Sequence, residues 1–118
     1  MKPLKDIQNI YFIGIGGIGM SALALYFHRE GKNVAGYDKT PSDVTAALQD
    51  SGIKVHFEDK KEGINSSFTS KEDTLVVFTP AVPKMMGELV YFRESGFMLK
   101  KRAEVLGMIA NQTFSLAV

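Results

Sequence analysis

The chain has 118 residues, of which 45% are hydrophobic and 23% are charged, and its net charge is +1 at pH 7. This length and composition fit one compact domain with a single core. The near-neutral charge gives no broad attraction to nucleic acid or to an anionic membrane surface, so neither is a predicted partner. The lack of cysteine excludes disulfides, thiolate metal sites and cysteine nucleophiles. With no export signal and no membrane span in the sequence, a cytoplasmic protein is expected.

Strands and helices are predicted to alternate along the chain. Asn9–Ile13 is a short apolar run that stops at a glycine, the profile of a strand buried on both faces of a sheet. Ile18, Ala22 and Leu25 then recur with helical spacing until Gly31 provides a stop signal. Further strands are predicted at Asn33–Tyr37, Ile53–Phe57, Thr74–Phe78 and Phe97–Leu99, with a last strand-like apolar run at Phe114–Val118. Further helices are predicted at Thr40–Ser51, with Thr40 as N-cap and Pro41 as first helical residue, at Gly87–Ser95 and at Arg102–Ala110.

This alternation predicts the fold class. Helical connections between strands favour an α/β, Rossmann-like, doubly wound parallel sheet with right-handed crossovers, formed by residues 1–118 as a single domain. Ligands of such sheets bind beyond the carboxyl ends of the strands, where the strand order reverses. We expect that point between the first and the fourth predicted strand.

A glycine-rich loop, Gly14-Ile15-Gly16-Gly17-Ile18-Gly19, joins the first predicted strand to the first predicted helix. Gly14 would permit the tight turn, Gly16 the approach of backbone to phosphates, and Gly19 the packing of the helix on the sheet. The unpaired amides and the positive dipole end of the helix would then hold a diphosphate. The alternative, a tight turn without a ligand, is disfavoured because three spaced glycines cost chain entropy for no gain in packing.

Other candidate binding residues follow the second and fourth strands. Asp38 stands nineteen residues after Gly19, where a dinucleotide fold places the acid that accepts hydrogen bonds from a ribose or base. A helix-capping role for Asp38 is the alternative, although Thr40 suits that role better. Lys39 is either a further contact or a solvated charge. Thr79–Val82 would reach the site from the fourth strand, unless it is only a turn made rigid by prolines.

The remaining polar residues are less informative. Arg102 could reach a diphosphate with its forked guanidinium or belong to a solvated basic cluster. His28 and His56 have no acidic or cysteine partner at ligand spacing, so both are interpreted as surface imidazoles. Glu58 and Asp59 are interpreted as a solvated turn. No metal site, nucleophile–base pair or P-loop is predicted.

Taken together, four segments resemble the UDP-N-acetylmuramate:L-alanine ligases of the Mur ligase family in order and spacing. The segments are Tyr11–Ala24, Gly36–Asp38, Thr79–Val82 and Arg102–Leu106. The resemblance covers nearly the whole chain, and the Gly-Ile-Gly-Gly-Ile-Gly-Met-Ser stretch is far more specific than a lone glycine fingerprint. The chain departs from many relatives at Phe57-Glu58, where they have a Gly-His pair, so contacts from that segment are not carried over.

The resemblance implies that this chain is the N-terminal domain that holds the UDP portion of UDP-N-acetylmuramate. It implies that Phe114–Val118 leads into the phosphate loop of an ATP-binding domain, and that a third domain receives L-alanine for peptidoglycan synthesis. ATP and magnesium are then needed by the full-length enzyme, while no cofactor is expected in this chain, which alone would be inactive. The residues expected to contact the UDP portion are Gly14, Gly16, Gly17, Ile18, Gly19, Met20, Ser21, Asp38, Lys39, Thr79, Pro80, Ala81 and Arg102.

Two other functions fit part of the pattern. The NAD-binding domain of a dehydrogenase would use the same glycine fingerprint and Asp38, for an adenosine ribose. A nucleotide-sensing regulatory module would need an effector that this chain does not contain. The additional Gly17 and the segments at Thr79 and Arg102 favour the ligase, since a dehydrogenase does not require them.

Overall fold

The computed structural model describes residues 3–64, 68 and 70–117, without the side chains of residues 61 and 112–117. The described residues form nine strands and α-helices. The strands are β1 (Asn9–Ile13), β2 (Asn33–Tyr37), β3 (Lys54–His56), β4 (Thr74–Phe78) and β5 (Met98–Lys101). The helices are α1 (Ile18–Arg29), α2 (Asp43–Asp50), α3 (Gly87–Glu94) and α4 (Arg102–Ala117), with short 3₁₀ turns at Leu4–Asp6 and Lys61–Gly63. Strands and helices alternate as predicted, except that β3 is followed by β4 with a 3₁₀ turn and no described α-helix between them.

The strands form one parallel sheet in the order β3-β2-β1-β4-β5. This confirms the predicted α/β fold with a parallel sheet. The chain winds outward from β1 through β2 to β3, then returns to pair β4 with the other edge of β1. The strand order therefore reverses between β1 and β4, as predicted, and a crevice opens at the carboxyl ends of these two strands.

The core has two layers, one on each face of the sheet. Alternate side chains of β1 enter different layers, with Ile10 and Phe12 on one face and Tyr11 and Ile13 on the other. The layer around Phe12 contains buried residues of α1, α2 and α4, whereas the layer around Tyr11 contains those of α3. Because both faces are covered, the central strands β1 and β4 are continuous hydrophobic runs after their first residues, Asn9 and Thr74, rather than alternating.

The start of α2 differs from the prediction. Thr40 is not its N-cap, and Pro41 is not its first helical residue. Ser42 caps the helix instead, with its hydroxyl accepting from the Thr45 N–H at 3.2 Å while the Thr45 hydroxyl accepts from the Ser42 N–H at 2.9 Å. This reciprocal pair satisfies two backbone donors at once.

The end of the chain also differs. A strand was predicted at Phe114–Val118, but α4 continues to Ala117, so the prediction is wrong for residues 114–117. Val118 lies outside the described residues. No glycine or proline separates Ala110 from Phe114, so no local signal ends the helix there. A short apolar run alone does not distinguish a strand from a helix segment. In the part of the chain described, no helix combines the length and apolarity needed to cross a membrane.

Candidate functional site

The glycine loop makes a tight turn over the carboxyl end of the sheet. Gly14 has a φ of +90°, which only glycine adopts readily, so the predicted role of Gly14 in the turn is confirmed. The N–H groups of Gly14 and Ile15 donate to the Tyr37 carbonyl at 2.8 and 3.0 Å. These bonds tie the loop after β1 to the last residue of β2.

The amino end of α1 is left without a side-chain cap. Its N-cap is Gly17, which offers no side chain, and no acidic residue stands in the first turn. Ser21 closes the first helical bond by donating its N–H to the Gly17 carbonyl at 2.7 Å, while its hydroxyl donates to the Ile18 carbonyl at 2.9 Å. The first-turn amides and the positive end of the helix dipole therefore remain available to an anion.

Asp38 faces the glycine loop. Its Oδ2 accepts from the Gly16 N–H at 2.7 Å, and its Oδ1 accepts from the Thr40 N–H at 3.1 Å. A Cβ at residue 16 would lie 2.6 Å from Oδ2, so Gly16 is required for this close approach. Each carboxylate oxygen can accept more than one hydrogen bond, which leaves Asp38 able to accept from a ligand as well.

The space beside Gly19 is occupied by a side chain from a distant part of the sequence. A Cβ at residue 19 would lie 2.9 Å from Nη1 and 3.0 Å from Cδ of Arg102. The small residue thus makes room for the Arg102 side chain, which lies over the first turn of α1. The guanidinium is in this way brought next to the uncapped helix end, although Arg102 is far away in the sequence.

An open cleft of about 620 Å³ lies at the point where the strand order reverses. Seven of the predicted contact residues line it, and they are Gly14, Gly17, Met20, Asp38, Lys39, Thr79 and Ala81. The other six are not part of its lining, and they are Gly16, Ile18, Gly19, Ser21, Pro80 and Arg102. The structure therefore brings the glycine loop, the end of β2 and the loop after β4 together around one space.

Five lining residues were not predicted, namely Tyr37, Asp59, Pro83, Met85 and Met86, whereas Val82 belongs to the loop Thr79–Val82 that was expected to reach the site. Pro83, Met85 and Met86 give the cleft an apolar wall. Met85 is 81% exposed although it is large and apolar. Burial raises the pKa of Tyr37, and the carboxylates of Asp59, Glu88 and Asp38 raise it further, so its hydroxyl stays protonated at neutral pH and can donate.

Asp59 is more than the solvated turn residue expected from the sequence. Its Oδ2 accepts from the Gly87 N–H and its Oδ1 from the Glu88 N–H, both at 2.8 Å. The N-cap of α3, Met86, cannot supply such bonds, so Asp59 caps the helix from a distant loop. Glu58 matches the prediction, because it pairs only with Lys60 and both side chains are mostly exposed.

The interpretation of His56 as a surface imidazole is wrong. Its Nε2 lies 2.6 Å from Oε2 of Glu88 and 3.2 Å from the Tyr11 hydroxyl, and its side chain is only 25% exposed. The Tyr11 hydroxyl donates to Oε1 of Glu88 at 2.5 Å. Burial, followed by the charge of Glu88, raises the pKa of Tyr11 well above its ordinary value. His28 is half-buried, and its imidazole has no hydrogen-bond partner in the described part of the chain.

The arrangement is suited to binding. It combines an uncapped helix end for an anion, a carboxylate and a lysine at the end of β2, and an apolar wall for a ring system. Within residues 3–64, 68 and 70–117, no group of three or more acidic or histidine side chains is placed to hold a metal ion.

Comparisons with known proteins agree with this geometry. A family model described as "Mur ligase family, catalytic domain" matches residues 9–114. The UDP-N-acetylmuramate--L-alanine ligase of Flavobacterium johnsoniae is 59% identical over 98% of this chain and 25% of its own length. The corresponding enzyme of Parabacteroides distasonis is 51% identical over the same shares. The crystal structure of the UDP-N-acetylmuramate-alanine ligase of Thermotoga maritima superposes with a TM-score of 0.78 at 30% identity, over 88% of this chain and 23% of that chain.

The chain therefore spans about a quarter of the length of the curated relatives that it matches. The match includes the glycine loop, the end of β2, the loop after β4 and the start of α4. The first three of these elements line the cleft.

Proposed function

Because the chain belongs to the Mur ligase family, we propose that it is the portion of a UDP-N-acetylmuramate:L-alanine ligase that holds the UDP end of the substrate. The names of the similar enzymes support this substrate. The family membership confirms the resemblance found in the sequence. The main reason for considering a dehydrogenase was the glycine fingerprint, which both classes share. Membership of the Mur ligase family accounts for this fingerprint without a dehydrogenase.

The observation that carries the proposal is the uncapped amino end of α1 at the edge of the cleft. The diphosphate would accept hydrogen bonds from the amides of Ile18, Gly19 and Met20, where the helix dipole favours negative charge. Ser21, in the same turn, can turn its hydroxyl from the Ile18 carbonyl toward a phosphate oxygen. Arg102 lies over this turn and would add a forked cationic donor.

The uridine would occupy the part of the cleft between Asp38 and the loop after β4. Asp38 can accept from the ribose hydroxyls, and Lys39 lines the same side. Thr79 and Ala81 line the opposite side, with Pro80 fixing the backbone of that loop. The tyrosine and methionine side chains provide an apolar surface for the pyrimidine ring.

The chemistry of such a ligase lies outside this chain. An ATP-dependent carboxylate–amine ligase phosphorylates the lactyl carboxylate, and the amine of L-alanine then displaces phosphate from the acyl phosphate, with magnesium neutralising the phosphates. We propose that ATP, magnesium and L-alanine are handled by the rest of the enzyme, in the cytoplasm, for peptidoglycan synthesis. The chain alone would bind substrate and have no ligase activity.

Ligand titrations followed by amide chemical shifts test the site. UDP-N-acetylmuramate and UDP should both shift the amides of Ile18, Gly19 and Met20, because both carry the diphosphate. Uridine, which lacks phosphate, should leave those three amides in place and shift residues near Asp38 only. Shifts from UDP confined to surfaces away from α1 would contradict the proposal, and alanine-dependent ADP release by the chain would contradict its inactivity.

A further inference from the structure

A buried polar cluster joins three elements next to the cleft. It consists of Tyr11 in the middle of β1, His56 at the end of β3 and Glu88 in the first turn of α3. Tyr11 and Glu88 are fully buried, and both oxygens of Glu88 are hydrogen-bonded, to Tyr11 at 2.5 Å and to His56 at 2.6 Å. We call these three residues the Tyr11–His56–Glu88 cluster.

The geometry assigns the protons within this cluster. The Tyr11 hydroxyl donates its single proton to Glu88, so its oxygen has no second proton to offer His56. His56 Nε2 faces two acceptor oxygens and carries one proton, which it directs to the nearer one, Oε2 of Glu88 at 2.6 Å; the Tyr11 oxygen at 3.2 Å is the secondary acceptor. The Glu88 carboxylate is thus satisfied by two donors from two different strands.

A buried carboxylate is an energetically unfavourable means of attaching a helix to a sheet. Taking a carboxylate out of water is unfavourable, and apolar residues of similar volume often stabilise a core as well or better. A carboxylate with two directed hydrogen bonds fixes position more narrowly than apolar packing does. The cluster is therefore better suited to setting the geometry of α3 than to adding stability.

The elements that the cluster joins form one wall of the cleft. Asp59, three residues after His56, accepts from the N–H groups of Gly87 and Glu88. The segment that contains His56 and Asp59 is therefore joined to the start of α3 by both of these residues. Met85 and Met86 come directly before Gly87 and line the cleft together with Asp59. Any shift of the amino end of α3 relative to β3 would move this wall.

We propose that His56 and Glu88 are positioning residues for ligand binding, which hold the wall of Asp59, Met85 and Met86 at the distance that the nucleotide requires. The proposal rests on the proposed function in one respect, the identity of the ligand. Neither side chain lines the cleft, so their effect on the ligand is transmitted through the start of α3.

Two substitutions at the same position test the proposal. His56→Leu removes the donor and leaves a buried Glu88 oxygen unsatisfied, whereas His56→Gln offers an amide N–H close to the place of Nε2. We expect His56→Leu to weaken UDP-N-acetylmuramate binding about tenfold in the folded protein, and His56→Gln to restore most of the affinity. Amide hydrogen exchange should show loss of protection at Gly87 in His56→Leu only.

The controls separate positioning from general stability. His28→Leu removes an imidazole that has no hydrogen-bond partner in the described chain, and it should leave both affinity and Gly87 exchange unchanged. Glu88→Gln keeps the side-chain volume but replaces one acceptor oxygen with an amide donor, so Tyr11 and His56 can no longer both donate to residue 88. It should weaken binding as His56→Leu does, and it serves if His56→Leu does not fold.

The affinities and the Gly87 exchange of these variants either support or overturn the positioning role. Unchanged affinity in a folded His56→Leu or Glu88→Gln protein would overturn the proposal, as would a His56→Gln protein as weak as His56→Leu. If the unaltered chain bound no UDP-N-acetylmuramate, the proposed function would fail, while Gly87 exchange in the variants would still decide whether the cluster positions α3.

Discussion

The backbone N–H of Gly16 donates to Oδ2 of Asp38 at 2.7 Å, and a Cβ at residue 16 would lie 2.6 Å from that oxygen. The glycine loop and the acid at the end of β2 are therefore one structural unit. Gly16 makes possible the position of Asp38, and Asp38 holds the loop that leads to the amino end of α1. A change at either residue should act on both.

Gly16→Ala should consequently affect stability and binding together. The added methyl group has to push Asp38 away, which breaks the hydrogen bond and shifts the loop. Overpacking of this kind costs about 1–3 kcal/mol, so the urea midpoint should fall and UDP-N-acetylmuramate should bind more weakly. Urea unfolding and calorimetric titration measure the two effects.

Gly107→Ala is the matched control. Gly107 lies within α4, and a Cβ there would meet nothing within 4 Å. Because alanine favours a helix interior over glycine, this substitution should stabilise the protein by about 0.5–1 kcal/mol without changing affinity. A Gly16→Ala protein as stable as the Gly107→Ala protein would contradict the steric argument.

The buried hydroxyl of Tyr11 should make the protein sensitive to alkali. The pKa of Tyr11 is raised above its ordinary value of 10.0 in the folded state, so above pH 10 the unfolded chain loses this proton first. The stabilisation is therefore complete below pH 10 and declines as the pH rises further, by up to about 1.4 kcal/mol per pH unit for one proton.

Tyr11→Phe removes this titrating group, so the free energy of unfolding should decline less steeply with pH, by a slope that corresponds to at most one proton. The variant should also be less stable at pH 7, because Glu88 loses the hydroxyl donor. Since all other titrating groups are shared, the difference in slope between the two proteins isolates Tyr11. Tyr26→Phe should change the slope less, because Tyr26 is 38% exposed. Equal slopes for the unaltered chain and Tyr11→Phe would refute the prediction. Urea unfolding between pH 8 and pH 11 gives the slopes.

Asp59 and its neighbour Glu58 provide a second matched pair. Asp59→Ala removes both hydrogen bonds to the start of α3 and should cost about 1 kcal/mol, as the loss of a helix cap does. Glu58→Ala removes only a surface ion pair with Lys60 and should be nearly neutral. Thermal unfolding of the two variants checks this, and similar losses in both would contradict the capping role.

Arg102 should act on the phosphates alone. Its side chain lies over the first turn of α1, where the diphosphate is proposed to bind. Arg102→Ala should therefore weaken UDP binding about tenfold and leave uridine binding unchanged. Lys101→Ala is the control, because Lys101 is exposed and stands next to Arg102 in the sequence. Equal effects on UDP and uridine would place Arg102 away from the phosphates.

The parts predictable from sequence are those that depend on local patterns. The run Asn9–Ile13, the glycine loop and the acid at the end of β2 follow each other closely, and their spacing was enough to predict a parallel sheet and the point where its order reverses. The loop after β4 could be placed in the site because the topology brings the ends of β1 and β4 together.

The contacts that were missed join residues far apart in the chain. Glu88 meets His56 across 32 positions and Tyr11 across 77, and nothing local to His56 indicates a buried acid. The contact of Arg102 with Gly19 is of the same kind. A partial signal did exist for Asp59, because the start of α3 has no capping side chain of its own, which requires an acceptor from elsewhere.

We propose above that the chain binds the UDP end of UDP-N-acetylmuramate. A calorimetric comparison of UDP-N-acetylmuramate and NADH on the unaltered chain tests this most directly. We predict saturable binding of UDP-N-acetylmuramate with one site per chain, competition by UDP, and weaker or undetectable binding of NADH. Preferential binding of NADH, or binding of UDP-N-acetylmuramate that UDP does not displace, would contradict it.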